Sequence, residues 1–87
     1  MTQLEQTLIA NARRELSAVL FYYQQKEAGI TAAKADEAWV EYLGHFNAMN
    51  ALLALAHQAD TGLSEEGVQA LLAIEEQHAA KYRETVN

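Results

Sequence analysis

The chain contains neither cysteine nor proline among its 87 residues. Without cysteine it cannot form a disulfide, a thiolate metal site or a thiol nucleophile, and this composition fits a reducing cytoplasm. The absence of proline permits long helices, because proline interrupts a helix by removing a backbone donor. Only 4 glycines are present, whereas Ala, Leu, Glu and Gln, which favour helix, are abundant.

Positive charge and long apolar runs are also scarce. Six Lys and Arg residues against 12 Asp and Glu give a formal net charge of −6, the wrong sign for a protein that tracks nucleic-acid phosphates. No apolar run approaches the roughly 18 residues that cross a bilayer, and the polar segment 1–8 is unlike an export signal. We therefore expect a soluble, cytoplasmic protein that binds neither nucleic acid nor membrane.

Two short breaks divide the helical pattern of the chain. Gly29 is a natural helix end and Thr31 a candidate N-cap at the first break, and Gly62 and Ser64 take the same two roles at the second. Because both turns are short, consecutive helices should pack antiparallel. We expect one all-α domain, an up-down-up three-helix bundle that can pair as a homodimer. The predicted helices cover about 2–28, 32–59 and 64–86.

Apolar residues predict the packing faces of the first two helices. The first helix carries an apolar stripe from Leu4 through Leu8 to Tyr23, and Phe21 points away from it. In the second helix apolar residues recur in steps of three and four, as in a coiled-coil seam, and its other side is also weakly polar. A helix that is apolar on two sides needs neighbours on two sides. We predict an interaction surface formed by Phe21, Trp39, Tyr42, Phe46, Met49 and Leu53.

The third helix places two polar residues within its apolar stripe. Val68, Leu71, Glu75, His78 and Tyr82 recur at helical spacing and should share one face. A carboxylate and an imidazole are costly to bury without partners. The two side chains either form a hydrogen-bonded polar layer, hold a metal ion, or lie exposed because the face is misassigned.

Three more polar residues lie at the same level of the predicted bundle, given a rise of about 1.5 Å per residue. Glu15 lies at the margin of the first helix's stripe, and Glu41 and His45 project from a different side of the second helix than its aromatic seam. We expect Glu41 to pair with His45. His57 is expected to occupy the last turn of the second helix, where the helix dipole favours it.

Two short segments resemble encapsulated ferritins and other ferritin-like proteins: 15–22, ELSAVLFY, and 75–80, EEQHAA. In that family a two-helix unit dimerises into a four-helix bundle that holds iron. The resemblance implies that Glu15, Glu75 and His78 bind iron or another divalent metal, with a second chain completing the site. Here a whole helix separates the two segments, which the family places on consecutive helices.

Catalytic motifs are missing from the sequence. It has no glycine-rich phosphate loop and no Gly-x-Ser-x-Gly elbow, so no catalytic residue is predicted and a binding protein is favoured over an enzyme. The leading hypothesis is an interaction module that pairs with itself or regulates, inhibits or chaperones another protein. The alternatives are a ferritin-like iron protein and a helical co-chaperone of a secretion system.

Overall fold

Three α-helices make up most of the described part of the chain, residues 1–27 and 32–86 of a computed structural model. The helical elements are α1 (Gln3–Glu27), α2 (Ala32–Leu53), a 3₁₀ turn (Ala54–His57) and α3 (Glu65–Val86). They run up, down and up, which confirms the predicted all-α bundle. The predicted turn at Gly29, with Thr31 as its N-cap, lies outside the described residues.

The second helix ends earlier than the sequence predicts. Its α-helical part stops at Leu53 and continues only as the 3₁₀ turn, whereas the predicted end lies near Ala59. Gly62, the predicted helix end, instead lies in the connection to α3, with a φ of 80°. Glycine adopts this left-handed conformation without steric cost.

The hydrophobic core lies along one side of α1, where α2 and α3 both pack. α1 makes its most extensive contacts with α2 and fewer with α3, while α2 and α3 contact each other least. Side chains that recur at helical spacing on α1 meet the inner faces of the other two helices. The buried cluster comprises Ile9, Ala12, Leu16, Val19, Met49, Leu53, Leu71 and Ile74.

The first turn of α1 directs a carboxylate inward in place of the predicted apolar residue. Leu4 is 70% exposed, whereas Glu5 is only 4% exposed. The Oε1 atom of Glu5 accepts hydrogen bonds from the backbone N–H and the hydroxyl of Thr2, both at 3.3 Å. The Thr2 hydroxyl oxygen in turn accepts from the Glu5 N–H at 3.1 Å. This reciprocal pair is a capping box at the start of α1.

The same carboxylate also binds the start of α3. Ser64 donates to the Oε2 atom of Glu5 from its backbone N–H at 3.0 Å and from its hydroxyl at 2.6 Å. The Ser64 hydroxyl oxygen accepts from the Gly67 N–H at 3.1 Å, which confirms Ser64 as the N-cap of α3. The hydrogen bonds from Ser64 lower the pKa of Glu5 to about 2. One side chain therefore satisfies donors at two helix starts.

Gly67→Ala is expected to lower the melting temperature, the reverse of the usual effect. Alanine in a helix is normally favoured over glycine by about 1 kcal/mol. At Gly67, however, an added Cβ would overlap the Oε2 atom of Glu5, so the carboxylate would have to leave the start of α3. Thermal unfolding followed by circular dichroism measures the effect.

Gly44→Ala is the matched control for this substitution. Nothing lies within 4 Å of a Cβ added at Gly44, so this variant should melt at or above the wild-type temperature in dilute solution. If both variants were stabilised to the same extent, the close approach of Glu5 to Gly67 would be contradicted.

Candidate functional site

A row of aromatic rings follows the predicted seam of α2 and reaches α3. Trp39 stacks on Tyr42 with ring centroids 5.2 Å apart, and Tyr42 stacks on Phe46 at 5.6 Å. Phe46 contacts the ring of His78 on α3, also at 5.6 Å. Ring pairs of this kind contribute about 0.5–1.5 kcal/mol each beyond the area that they bury. The row therefore joins α2 to α3, which contact each other less than either helix contacts α1.

A small cleft lined by residues of α1, α2 and α3 opens along this row. Its lining includes Tyr23, Tyr42, His78, Lys81 and Tyr82. Burial, together with the nearby Tyr23 and Tyr82, raises the pKa of Tyr42, and burial lowers the pKa of His78. Both shifts favour the uncharged form near neutral pH, as packing within an apolar cleft requires.

The predicted interaction surface divides into a buried and an exposed part. Met49 and Leu53 are 0% and 3% exposed and belong to the core cluster. The structure therefore places these two residues in the core and not on a contact surface, because their side of α2 packs against α1. Tyr42 and Phe46 are half-buried against the same core. Trp39 is 40% exposed.

Two exposed apolar residues that the prediction omitted lie next to Trp39. Val40 is 67% exposed and Leu43 is 38% exposed. We name Trp39, Val40 and Leu43 the α2 patch. The sequence signal for this surface was the weakly polar second side of α2. The prediction instead used the apolar seam of α2, most of which faces the core.

Phe21 lies exposed on α1, as the sequence predicts. Its side chain is 53% exposed, and its ring meets the edge of Tyr22 at 5.1 Å. The Tyr22 ring in turn stacks on His45 of α2 at 5.6 Å and an interplanar angle of 7°. The contact role of Phe21 stays a prediction.

The three predicted iron ligands do not come together within one chain. Glu15 is bound to His45, Glu75 is bound to His57, and His78 packs against an aromatic ring of α2. Over residues 1–27 and 32–86, no group of three or more His, Asp or Glu side chains is arranged to hold a metal ion. An iron site shared between two chains stays a prediction, which native mass spectrometry of protein purified without chelators would test.

The inward face of α3 differs from the predicted one at Glu75 and at Tyr82, which is 53% exposed. Ile74 is 1% exposed, whereas the side chain of Glu75 is 45% exposed. The polar layer of Glu75 with His78 does not form, because the Oε2 atom of Glu75 lies 2.8 Å from Nε2 of His57. His57 is in the last turn of the 3₁₀ segment. Since both partners are largely exposed, this pair contributes at most about 1 kcal/mol.

His45 lies between two carboxylates on two helices. Its Nδ1 atom is 2.5 Å from Oε2 of Glu15 on α1, and its Nε2 atom is 3.7 Å from Oε2 of Glu41, one turn earlier on α2. The sequence predicts the pair with Glu41, but the closer partner is Glu15, 30 residues away. The stacked ring of Tyr22 holds the plane of the imidazole. The imidazole of His45 is therefore held in one orientation, and the side chain remains 33% exposed.

No protein-family model, curated protein or solved structure matches this chain. Among the described helices, none is both long and apolar enough to cross a membrane. The α2 patch and the oriented imidazole of His45 are two features that the described residues present at the surface.

Proposed function

We propose that this chain is a helical interaction module that pairs with a second copy of itself through the α2 patch. The exposure of Trp39, Val40 and Leu43 next to one another carries the proposal. The inner side of the same helix is already buried in the core, so α2 is apolar on two sides and has a neighbour on one. Burying apolar surface against a partner contributes about 25 cal/mol per Å².

The charge distribution favours a second copy over a basic partner. The chain carries a formal net charge of −6, so two copies repel each other over most of their surfaces. From Tyr42 to Ala59, however, there is no Asp, Glu, Lys or Arg. Leu43 and the exposed Asn47 and Ala51 lie in this stretch. Glu37 and Glu41 flank Trp39 and Val40, but from Leu43 onward a basic partner would find no carboxylate to pair with, whereas an uncharged copy of this part of the face fits.

The surface area of the chain leaves room for such a contact. It exposes 5700 Å², whereas a compact monomer of this mass exposes about 5100 Å² by the scaling of surface with mass. The excess reflects an elongated shape, 45 × 25 × 18 Å. A standard interface buries about 800 Å² on each partner, which is enough to remove this excess.

Leu43→Glu is expected to convert the dimer into a monomer. In a two-fold interface each substitution appears twice, so the variant brings two carboxylates into an apolar contact. Sedimentation equilibrium at micromolar concentrations should report two chains for the wild type and one for the variant. Gln69→Glu adds the same charge at an exposed position of α3, and this control should remain dimeric.

A second variant locates the interface. Phe21→Asp tests whether the exposed ring of α1 takes part in the contact. Loss of the dimer in Phe21→Asp but not in Leu43→Glu would move the interface from α2 to α1. A wild type that stays monomeric at high micromolar concentration would contradict self-association, and the α2 patch would then have to meet a different protein.

A further inference from the structure

We propose that Glu41 and His45 form a binding site for a divalent transition-metal ion such as Zn²⁺, with Glu15 orienting the imidazole from the outer shell. The site shares no residue with the α2 patch, although Val40 of the patch lines the same concavity as Glu41. It shares only Glu15 with the predicted iron ligands, and it gives that residue a different role, because Glu15 contacts the Nδ1 atom of the imidazole and would hold the ring, not the ion.

The distance between the two inner atoms fits one metal ion. Glu41 Oε2 and His45 Nε2 are 3.7 Å apart. Zn–N and Zn–O bonds of about 2.0–2.2 Å in tetrahedral geometry place two ligand atoms about 3.4 Å apart. The two residues are four apart on one helix, so they project from the same side. Because the side chain of Glu41 is 57% exposed, a small rotation closes the remaining gap.

Glu15 prepares the imidazole for this role. Its Oε2 atom lies 2.5 Å from Nδ1 of His45, so Nδ1–H can donate to the carboxylate while the Nε2 lone pair points away from it. Histidine ligands in metal sites commonly donate their second N–H to a carboxylate, which fixes the tautomer and increases ligand basicity. When the ring is charged, metal binding releases the Nε2 proton to solvent.

The other two histidines lack this arrangement. The Nε2 atom of His57 lies 2.8 Å from Glu75, and His78 packs against Phe46 in the apolar cleft. Within residues 1–27 and 32–86, His45 is the histidine whose two ring nitrogens each face a separate carboxylate.

Water completes the coordination shell of the proposed ion. No third protein ligand converges on it within residues 1–27 and 32–86, and both inner side chains are open to solvent. Glu41 also lines a broad concavity together with Glu37 and Lys34. With two protein ligands and a lysine nearby, we expect weaker binding than at a closed structural zinc site.

Calorimetric titration of the chelator-treated chain with ZnCl₂ tests the proposal. Excess Mg²⁺ is included to occupy the acidic surface, since it prefers oxygen ligands and does not need imidazole. We expect one Zn²⁺ per chain, loss of this binding in His45→Ala, and an affinity about 10–100-fold lower in Glu15→Gln. His57→Ala, which removes another exposed imidazole, should bind as the wild type does.

A second measurement uses the wild type alone, in case His45→Ala does not fold. Nitrogen chemical shifts of the histidine rings should change on Zn²⁺ addition at Nε2 of His45. Unchanged affinity in a folded His45→Ala variant, or shifts confined to His57 or His78, would overturn the assignment. Absence of any binding in the presence of Mg²⁺ would overturn it as well.

Discussion

Met49→Ala is expected to lower the free energy of unfolding by about 2–5 kcal/mol, the range for truncating a buried methionine to alanine. The side chain of Met49 is 0% exposed and belongs to the cluster that includes Val19 of α1 and Ile74 of α3. Its truncation removes apolar contacts from all three helices and leaves a cavity that the bundle fills only in part. Urea unfolding followed by circular dichroism measures the loss.

Leu43→Ala is the control on the same helix. Leu43 is 38% exposed, so its truncation should change the stability of the isolated chain by less than about 1 kcal/mol, as at most surface positions. The two variants separate the inner side of α2 from the α2 patch. A large loss at Leu43 together with a small loss at Met49 would reverse the faces of α2 described above.

Glu5→Gln is expected to lower the melting temperature at neutral pH by on the order of 10 °C, because a small domain is sensitive to the loss of caps at two helix ends. An amide has a single acceptor oxygen and cannot serve the starts of α1 and α3 together. The substitution also removes a negative charge that interacts favourably with the positive N-terminal ends of the dipoles of α1 and α3.

The pH dependence of this loss follows from the lowered pKa. Glu5 has a pKa of about 2 in the folded chain against an ordinary value of 4.5, so between these pH values its carboxyl group binds fewer protons in the folded than in the unfolded state. Its contribution is complete above pH 4.5 and is lost as the pH falls through about 2. The melting temperatures of the wild type and Glu5→Gln, measured from neutral to acid pH, should therefore converge as the pH approaches about 2.

Glu66→Gln provides the comparison for general charge effects. It removes an exposed carboxylate from the first turn of α3, the second helix whose start Glu5 binds, and should change the melting temperature only slightly. A gap between wild type and Glu5→Gln that persisted unchanged to pH 2 would contradict the assigned role of ionised Glu5. An equal loss in Glu66→Gln would attribute the effect to the helix dipole alone.

Local signals in the sequence were sufficient for the fold and for one of its caps. The absence of proline and the two short breaks predict three helices, and Ser64 followed by two acidic residues predicts the start of α3. Each of these signals acts within a few residues of the feature that it specifies. The Ser64 cap and the up-down-up order are accordingly correct.

Features that depend on residues far apart in the chain could not be predicted from the sequence. The choice between Leu4 and Glu5 as the inward residue is decided by Ser64, 59 residues further along the chain. Likewise the partner of His45 is 30 residues away on α1. No local pattern announces either pair.

A shift of one residue accounts for the error on α3. Neighbouring helix positions differ by about 100°, so the side chain of Glu75 points well away from that of the inward Ile74, whereas Leu71 is inward as predicted. The early end of α2 adds to the error, because the 3₁₀ turn carries His57 to Glu75. Of the two predicted ligands on α3, His78 therefore lies on the inward side, against Phe46, whereas Glu75 lies outside the core beside His57.

The double attachment of Glu5 makes the beginnings of α1 and α3 a single opening unit. A fluctuation that frays the first turn of α1 also withdraws the acceptor from Ser64, so the start of α3 loses a support at the same moment. Local opening at one helix start is thus energetically coupled to opening at the other, although α2 separates them in the chain. The first turns of the parallel helices α1 and α3 should therefore open together, because the carboxylate of Glu5 links them.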